Sequence, residues 1–183
     1  MNTHSLNPNR SAPAFAAAIL AFALVAGPGC TVRHVPKVRS IAATGMSNLR
    51  GSQPIDVRAG ESSVTETNFG TVGMGTVKGK PSEWTDVAVR MVRTNLAARG
   101  ATLTPGASKA LTITMTKAEV KGIPFVGGAT TRIALSATGS DGLNRTIEAS
   151  NSSMAPLASV DGAVEDAVKK LLADSAVDAY LRK

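Results

Sequence analysis

Few side chains in this sequence can do covalent or acid–base chemistry. There is one cysteine, Cys30, and there are two histidines, His4 and His34. A zinc centre needs three or four converging ligands, and a Ser-His-acid triad needs a histidine oriented within the fold. His4 stands in the first ten residues and His34 four residues past Cys30, so neither chemistry is expected. Glu119 and Glu148 offer carboxylates for acid–base work. Both fall in alternating segments where a solvated outward face is the simpler account. The expectation is a protein that is not an enzyme and holds no metal.

The stretch GTVGMGTVKGK, residues 70–80, invites comparison with a phosphate-binding loop, because glycine lets backbone N–H groups approach an anion and lysine adds charge. Its spacing fails the test. Gly70 and Gly75 have the required gap, but Thr76 stands where lysine is needed, and Gly79-Lys80 runs into Pro81. The segment is therefore expected to be a flexible hairpin or a partner-binding loop, with Gly73, Gly75 and Lys78 as candidate contacts. A second candidate is Phe125, in GIPFVGG between glycines. A loop aromatic there either meets a partner or plugs the end of a sheet.

Cys30 closes a different pattern. MNTHSLNPNR is polar with one basic residue, Arg10, and SAPAFAAAILAFALVA is apolar apart from Ser11 and Pro13. That is the layout of a secretory signal over 1–29. The run is shorter than the roughly 20 residues of a spanning helix and ends in Gly-Pro-Gly. In an oxidising compartment a sole thiol is a liability unless modified, which gives Cys30 a dedicated role. The pattern fits a bacterial lipoprotein precursor, cut just before a cysteine that takes up diacylglyceryl and N-acyl chains. Gly29 suits that cleavage; Gly27 and Pro28 depart from the usual leader. Ordinary cleavage is the rival, with weak sites at Ala21-Phe22-Ala23 and after Gly27. No other cofactor is expected.

The formal charge is +7, and it stays positive once Arg10 is removed. On an exported protein that balance points to anionic envelope surfaces. Nucleic acid is not an expected partner, since Phe69, Trp84, Phe125 and Tyr180 form no stacking platform among basic residues. Residues 30–50 carry Arg33, Lys37, Arg39 and Arg50 without an acid. They read either as a basic tether lying near lipid headgroups or as a solvated linker merging into a strand at 38–42.

The body over 51–183 must position these groups. IDVR at 55–58 alternates as a half-buried strand. SEWTDVAVRMVRTNLAARG reads as a helix capped by Ser82 and stopped at Gly100, with Trp84, Val87, Ala88, Met91, Val92 and Leu96 on one stripe and Arg90, Arg93 and Asn95 off it. ALTITMTKAEVKG is a strand whose phase slips near Lys117, a sign of a bulge. Two further strands flank Asp141-Gly142. A last helix runs from Val160 to the C-terminus, its apolar stripe including Ala176 and Ala179. The order implies a two-layer α+β domain, with two amphipathic helices on one face of a mostly antiparallel sheet.

On these segments the chain resembles small outer-membrane lipoproteins of Gram-negative bacteria, most closely the YajG-type family. The resemblance lies in WTDVAVRMVRTNLAARGATL, ALTITMTKAEVKG and VEDAVKKLLADSAVDAYL, and it leaves out the glycine-rich 70–79 segment. It implies an outer-membrane location facing the periplasm, and Thr31 after Cys30 suits transfer there, since Asp at that position commonly causes retention in the inner membrane. Related lipoproteins assist lipopolysaccharide assembly, lipid transport or wall synthesis by binding a larger envelope protein. The leading expectation is a lipid-anchored, non-enzymatic protein-binding factor in envelope assembly or maintenance. The alternative is a binder of an anionic ligand (lipopolysaccharide, phospholipid or glycan) through Arg90, Arg93, Lys117, Lys121 and Arg132.

Overall fold

The computed structural model describes residues 30–123 and 127–183. The expected signal segment 1–29 and Phe125 lie outside the described residues. The elements are β1 (Thr31–Arg33), β2 (Ile55–Ala59), β3 (Thr67–Val72), β4 (Gly75–Gly79), α1 (Pro81–Ala98), β5 (Lys109–Gly122), β6 (Ala129–Gly139), β7 (Asn144–Ser153), α2 (Pro156–Ala173) and α3 (Ser175–Arg182). The strands form one mixed, mostly antiparallel sheet in the order β1-β4-β3-β5-β6-β7, with β2 also paired to β5. The helices cover one face, giving the expected two-layer α+β architecture with three helices instead of two.

β5 is the spine. Along one side it pairs with β6 from Leu111 to Gly122, with the expected bulge between Met115 and Lys117. Its other side is shared end to end: β2 takes Lys109 to Ile113 and β3 takes Val120 and Lys121, both parallel. Between them β5 has no strand partner, and a buried N–H left there would be costly. Thr85 fills the gap, its Oγ1 accepting from Met115 N at 3.0 Å and meeting Ser62 Oγ at 2.9 Å. The close join of β3 to β5 also requires glycine at Gly70, where φ is +145° and a Cβ would stand 1.8 Å from the Val120 carbonyl oxygen.

The core lies between sheet and helices. The α1 stripe from Trp84 to Leu96 is exposed by 1% or less, as are Val160, Ala163, Val164, Ala167, Val168, Leu171 and Leu172 of α2. They meet Leu111, Ile113, Ile133, Leu135 and Ala137 of the sheet. Trp84 packs its ring on Phe69 with centroids 4.4 Å apart, and its indole N–H donates to the His34 carbonyl at 3.0 Å. Burial of that area with its one polar atom paired makes Trp84 an anchor of the core.

Four details differ from the sequence reading. α1 begins at Pro81 after Lys80, with no side-chain cap. Proline suits that first position, since its missing N–H would be unpaired anyway; Ser82 N is used instead on Ser63 O. Asn95 is buried, not off the stripe, because its Nδ2 donates to Ile41 O at 3.2 Å. The C-terminal helix breaks at Asp174, whose backbone is extended (ψ 126°) and whose Oδ1 accepts from Ala176 N and Val177 N. The break turns the face, so Val177, Tyr180 and Leu181 are buried while Ala179 is exposed.

The fourth difference is the N-terminal segment. It is neither a free tether nor a strand at 38–42: the folded body begins at Thr31, whose strand pairs in parallel with β4 through Thr31–Thr76, Val32–Val77 and Arg33–Lys78. Ile41 and Leu49 are buried in the core. Leu49 N donates to Arg99 O, and Arg99 in turn reaches Ser47 O and Asp178. Apolar residues at 41 and 49, isolated in a basic stretch, become part of the core by lying across the helix layer.

Replacing Thr85 with Val should cost about 1–3 kcal/mol by orphaning the Met115 N–H, read from denaturant unfolding with the fluorescence of Trp84. Asp174→Ala should cost about 1 kcal/mol through the lost cap. The Arg145 hydrogen bond holds the Asp174 carboxyl below its ordinary value of 3.8. A depressed carboxyl pKa stabilises the fold above the unfolded value and loses that contribution as pH falls through the folded one. Asp174→Asn, which keeps the cap, should therefore flatten the fall in stability below about pH 4; an unchanged acid limb would exclude this group as a source.

Candidate functional site

Cys30 is exposed and stands one residue before β1. Its carbonyl accepts from Thr76 N at 2.9 Å, so the backbone at the attachment point is already part of the sheet edge. The chain beyond it is fastened to three elements. His34 N donates to Lys78 O of β4, the His34 carbonyl accepts from Trp84 of α1, and the His34 ring lies 2.9 Å from Asp161 Oδ1 of α2. That carboxylate is 5% exposed and also accepts from Lys37 N at 3.1 Å, with Arg39 3.7 Å from its other oxygen. Arg33 bridges to Glu83, and Arg39 to Glu165 at 3.2 Å. Two of the four basic residues expected to lie free near headgroups, Arg33 and Arg39, are thus engaged with the protein's own acids.

The candidate contacts of the glycine loop sit where β3 turns into β4. Gly73 takes a positive φ of 58° at the turn, Gly75 opens β4, and Lys78 lies within β4 opposite Arg33 and Asn68. The segment is a hairpin whose two strands pair within the sheet. Met74 at its tip is 62% exposed.

The five cations proposed for one basic face divide into two groups. Lys117, Lys121 and Arg132 converge on the sheet face that no helix covers, around Glu119, which pairs with Arg132 across the strands and meets Lys121 Nζ at 2.9 Å. The hydrogen bond from Lys121, then the charges of Lys121, Lys117 and Arg132, hold the Glu119 carboxyl below its ordinary range. Beside them a shallow groove of about 330 Å³ runs past Lys117, Arg132, Ala134, Glu148 and Ser150 to Lys170. Arg90 and Arg93 do not join this group, because α1 carries them in the other layer. Arg90 bonds back to Asp86 O, and Arg93 Nε donates to Val57 O at 2.8 Å along the outer side of β2. Arg93 is occupied in closing a strand edge, which removes it as a free ligand contact.

Glu148 lies on the same open face as Lys117, its backbone oxygen accepting from Lys170 Nζ. Sequence reading missed the pairing of His34 with Asp161. The only signal was an acid at the start of a helix, which reads as a dipole partner. Among the described residues no cluster of three or more His, Cys, Asp or Glu is arranged to hold a metal, and no helix is long and apolar enough to cross a membrane.

No family model matches this chain, and no curated protein matches it. A crystal structure of a protein from Xanthomonas campestris, described as belonging to family DUF330, is similar to it over 82% of this chain and 95% of that one. The TM-score is 0.55 and the identity 16%. At that identity the likeness is one of fold.

Asp161→Ala should loosen the N-terminal segment without unfolding the core. A part-buried charge-assisted hydrogen bond contributes about 1.5–3 kcal/mol, so trypsin cleavage at Lys37 and Arg39 should quicken about tenfold or more if cutting follows local opening. An unchanged cleavage rate would show that the segment is held elsewhere.

Proposed function

We propose that this chain is a lipid-anchored envelope protein of the YajG type, held in the outer membrane by acyl chains on Cys30 and facing the periplasm. In this reading it catalyses nothing and binds an envelope protein partner in assembly or maintenance. The observation that carries it is the position of Cys30: exposed, at the end of a signal-like leader, and one residue from an edge strand. An anchor there confines the domain to a surface and raises its effective concentration near membrane partners. The uncovered sheet face is the surface it offers to them.

The second reading rests on a separate observation, the convergence of Lys117, Lys121 and Arg132. In it the open face holds an anionic ligand, a lipopolysaccharide, phospholipid or glycan, with Glu119 setting how much positive charge is left over. Arg90 and Arg93 have no part in it.

The mass of the mature protein tests the anchor. It should correspond to a chain starting at a triacylated Cys30, and Cys30→Ser should leave the membrane fraction; an unmodified N-terminus would overturn the proposal. Binding of phosphate-bearing lipid micelles separates the two readings. If the face is a ligand site, Glu119→Gln should strengthen binding, Lys117→Glu with Arg132→Glu should abolish it, Arg90→Glu should leave it alone, and salt should weaken it steeply. A partner interface with an apolar centre should instead persist as salt rises.

A further inference from the structure

Alternation along β6 puts Ile133 and Leu135 in the core and Arg132, Ala134 and Ser136 on the sheet face that no helix covers. Across the strands Ala134 has Lys117 of β5 on one side and Glu148 of β7 on the other, and Arg132 precedes it by two positions on its own strand. The β5 bulge sets Lys117 there. Without the extra residue Lys117 would stand opposite Ile133 and point into the core, because a slip of one position exchanges the two faces. Ala134 is only 4% exposed although its face is open, so the longer side chains around it form walls and the alanine a floor. This is the groove of about 330 Å³ lined by Lys117, Arg132, Glu148 and Ser150.

The charges around Ala134 do not neutralise one another. Asp141, Asp161, Glu165, Asp174 and Asp178 each hold a basic partner. Glu148 differs: among the described residues its carboxylate has no hydrogen bond or ion pair, and neither do Lys117 and Arg132 beside it. Only the Glu148 backbone oxygen is engaged, by Lys170 Nζ at 3.1 Å. Glu119, the other acid close by, is taken by Lys121 at 2.9 Å. Lys117 and Glu148 stand two strand spacings apart, about 10 Å between Cα atoms. A cationic wall thus faces an anionic one across a small residue.

We propose that this groove takes a phosphoethanolamine group, its phosphate oxygens on Lys117 and Arg132 and its ammonium on the Glu148 carboxylate. The inference deepens the anionic-ligand reading and rests on it. A phosphodiester alone would bring its negative charge against Glu148 and leave that carboxylate unpaired. An ammonium two carbons from the phosphate ester oxygen removes the repulsion and donates charge-assisted hydrogen bonds to it. On the other wall the Arg132 guanidinium offers two parallel donors to phosphate oxygens and Lys117 a point charge. The Ser150 hydroxyl, opposite Arg132 across the strands, adds a further donor. Phospholipids and decorated glycans both carry this group, and the chemistry recognised is the same in each.

The test uses the mature protein in micelles of an uncharged detergent, titrated with soluble glycerophosphoethanolamine and glycerophosphoglycerol. The two probes share the phosphodiester and differ in the ammonium. Amide shifts of Ala134 and Ser150 report binding at the groove. The ethanolamine probe should bind about two- to fivefold tighter, the size of one exposed ion pair. Glu148→Gln should erase that preference by weakening the ethanolamine probe without weakening the other. Unfolding followed by Trp84 fluorescence should be the same in this variant, since the carboxylate has no partner to lose. Equal binding of the two probes by the wild type, or a preference that survives Glu148→Gln, overturns the proposal and leaves the anionic-ligand reading standing. Failure of both probes to bind overturns that reading with it. A sugar-linked phosphoethanolamine diester identifies the source: binding tighter than that of glycerophosphoethanolamine supports a decorated glycan or lipopolysaccharide, and weaker binding a phospholipid.

Discussion

One residue, His34, joins the N-terminal segment to every layer of the molecule. Its amide completes the β1–β4 ladder on Lys78 O, its carbonyl takes the indole N–H of Trp84, and its ring meets Asp161 on α2. Each partner is buried or nearly so, and each would otherwise carry an unpaired polar group. An unmet buried donor or acceptor costs about 1–3 kcal/mol, so the contacts are coupled: lifting the segment off would strand the indole N–H and the Asp161 carboxylate together. Ile41 and Leu49 then complete the core from outside the body that their neighbours would suggest. A chain stretch with the composition of a linker is thereby held as a strap across sheet and helices.

The same constraint explains how the sheet remains one-sided. Helices bury one face; the other carries Thr112, Thr114, Ser136, Thr138 and Thr146, whose cross-strand neighbours are also small and polar. Threonine favours the pleated backbone while leaving the surface hydrated. Edges need separate treatment, because unpaired backbone groups invite other chains. β1 is short, the outer side of β2 is closed by Arg93 on Val57 O and by the 102–104 segment bonding Ile55, and Lys170 covers Glu148 O on β7. One basic side chain that reads as part of a ligand face in the sequence, Arg93, is working on such an edge.

Legibility followed the range of the forces involved. The α1 stripe, the β5 bulge and the Asp141-Gly142 turn rest on local periodicity and turn chemistry, and all could be read directly. Lys117, Lys121 and Arg132 could be grouped because alternation on neighbouring strands puts them on one face. Arg90 and Arg93 could not be separated from them without knowing which layer α1 occupies. The helix break at Asp174 was hidden because aspartate in mid-run reads as a tolerated polar residue, and its cap geometry depends on Arg145 29 positions away. Asn95, Thr85 and the His34–Asp161 pair are polar residues bonded to partners 30 to 127 positions distant. Buried polar pairing of that reach leaves no periodic trace.

The absence of slack at Cys30 bears on any role the chain has at a surface. A linker of twenty flexible residues would let the domain wander about 25 Å from its attachment point. With β1 starting at Thr31, the attachment atom and the first paired residue are separated by about one Cα step, 3.8 Å. An acyl group on Cys30 would therefore hold the edge of β1 and the β3–β4 turn at the bilayer, and β5 to β7 would stand as a wall rising from it. A partner meeting the open face would approach along the membrane. For that geometry to persist, the strap must stay down, which returns the orientation of the whole domain to the three bonds of His34.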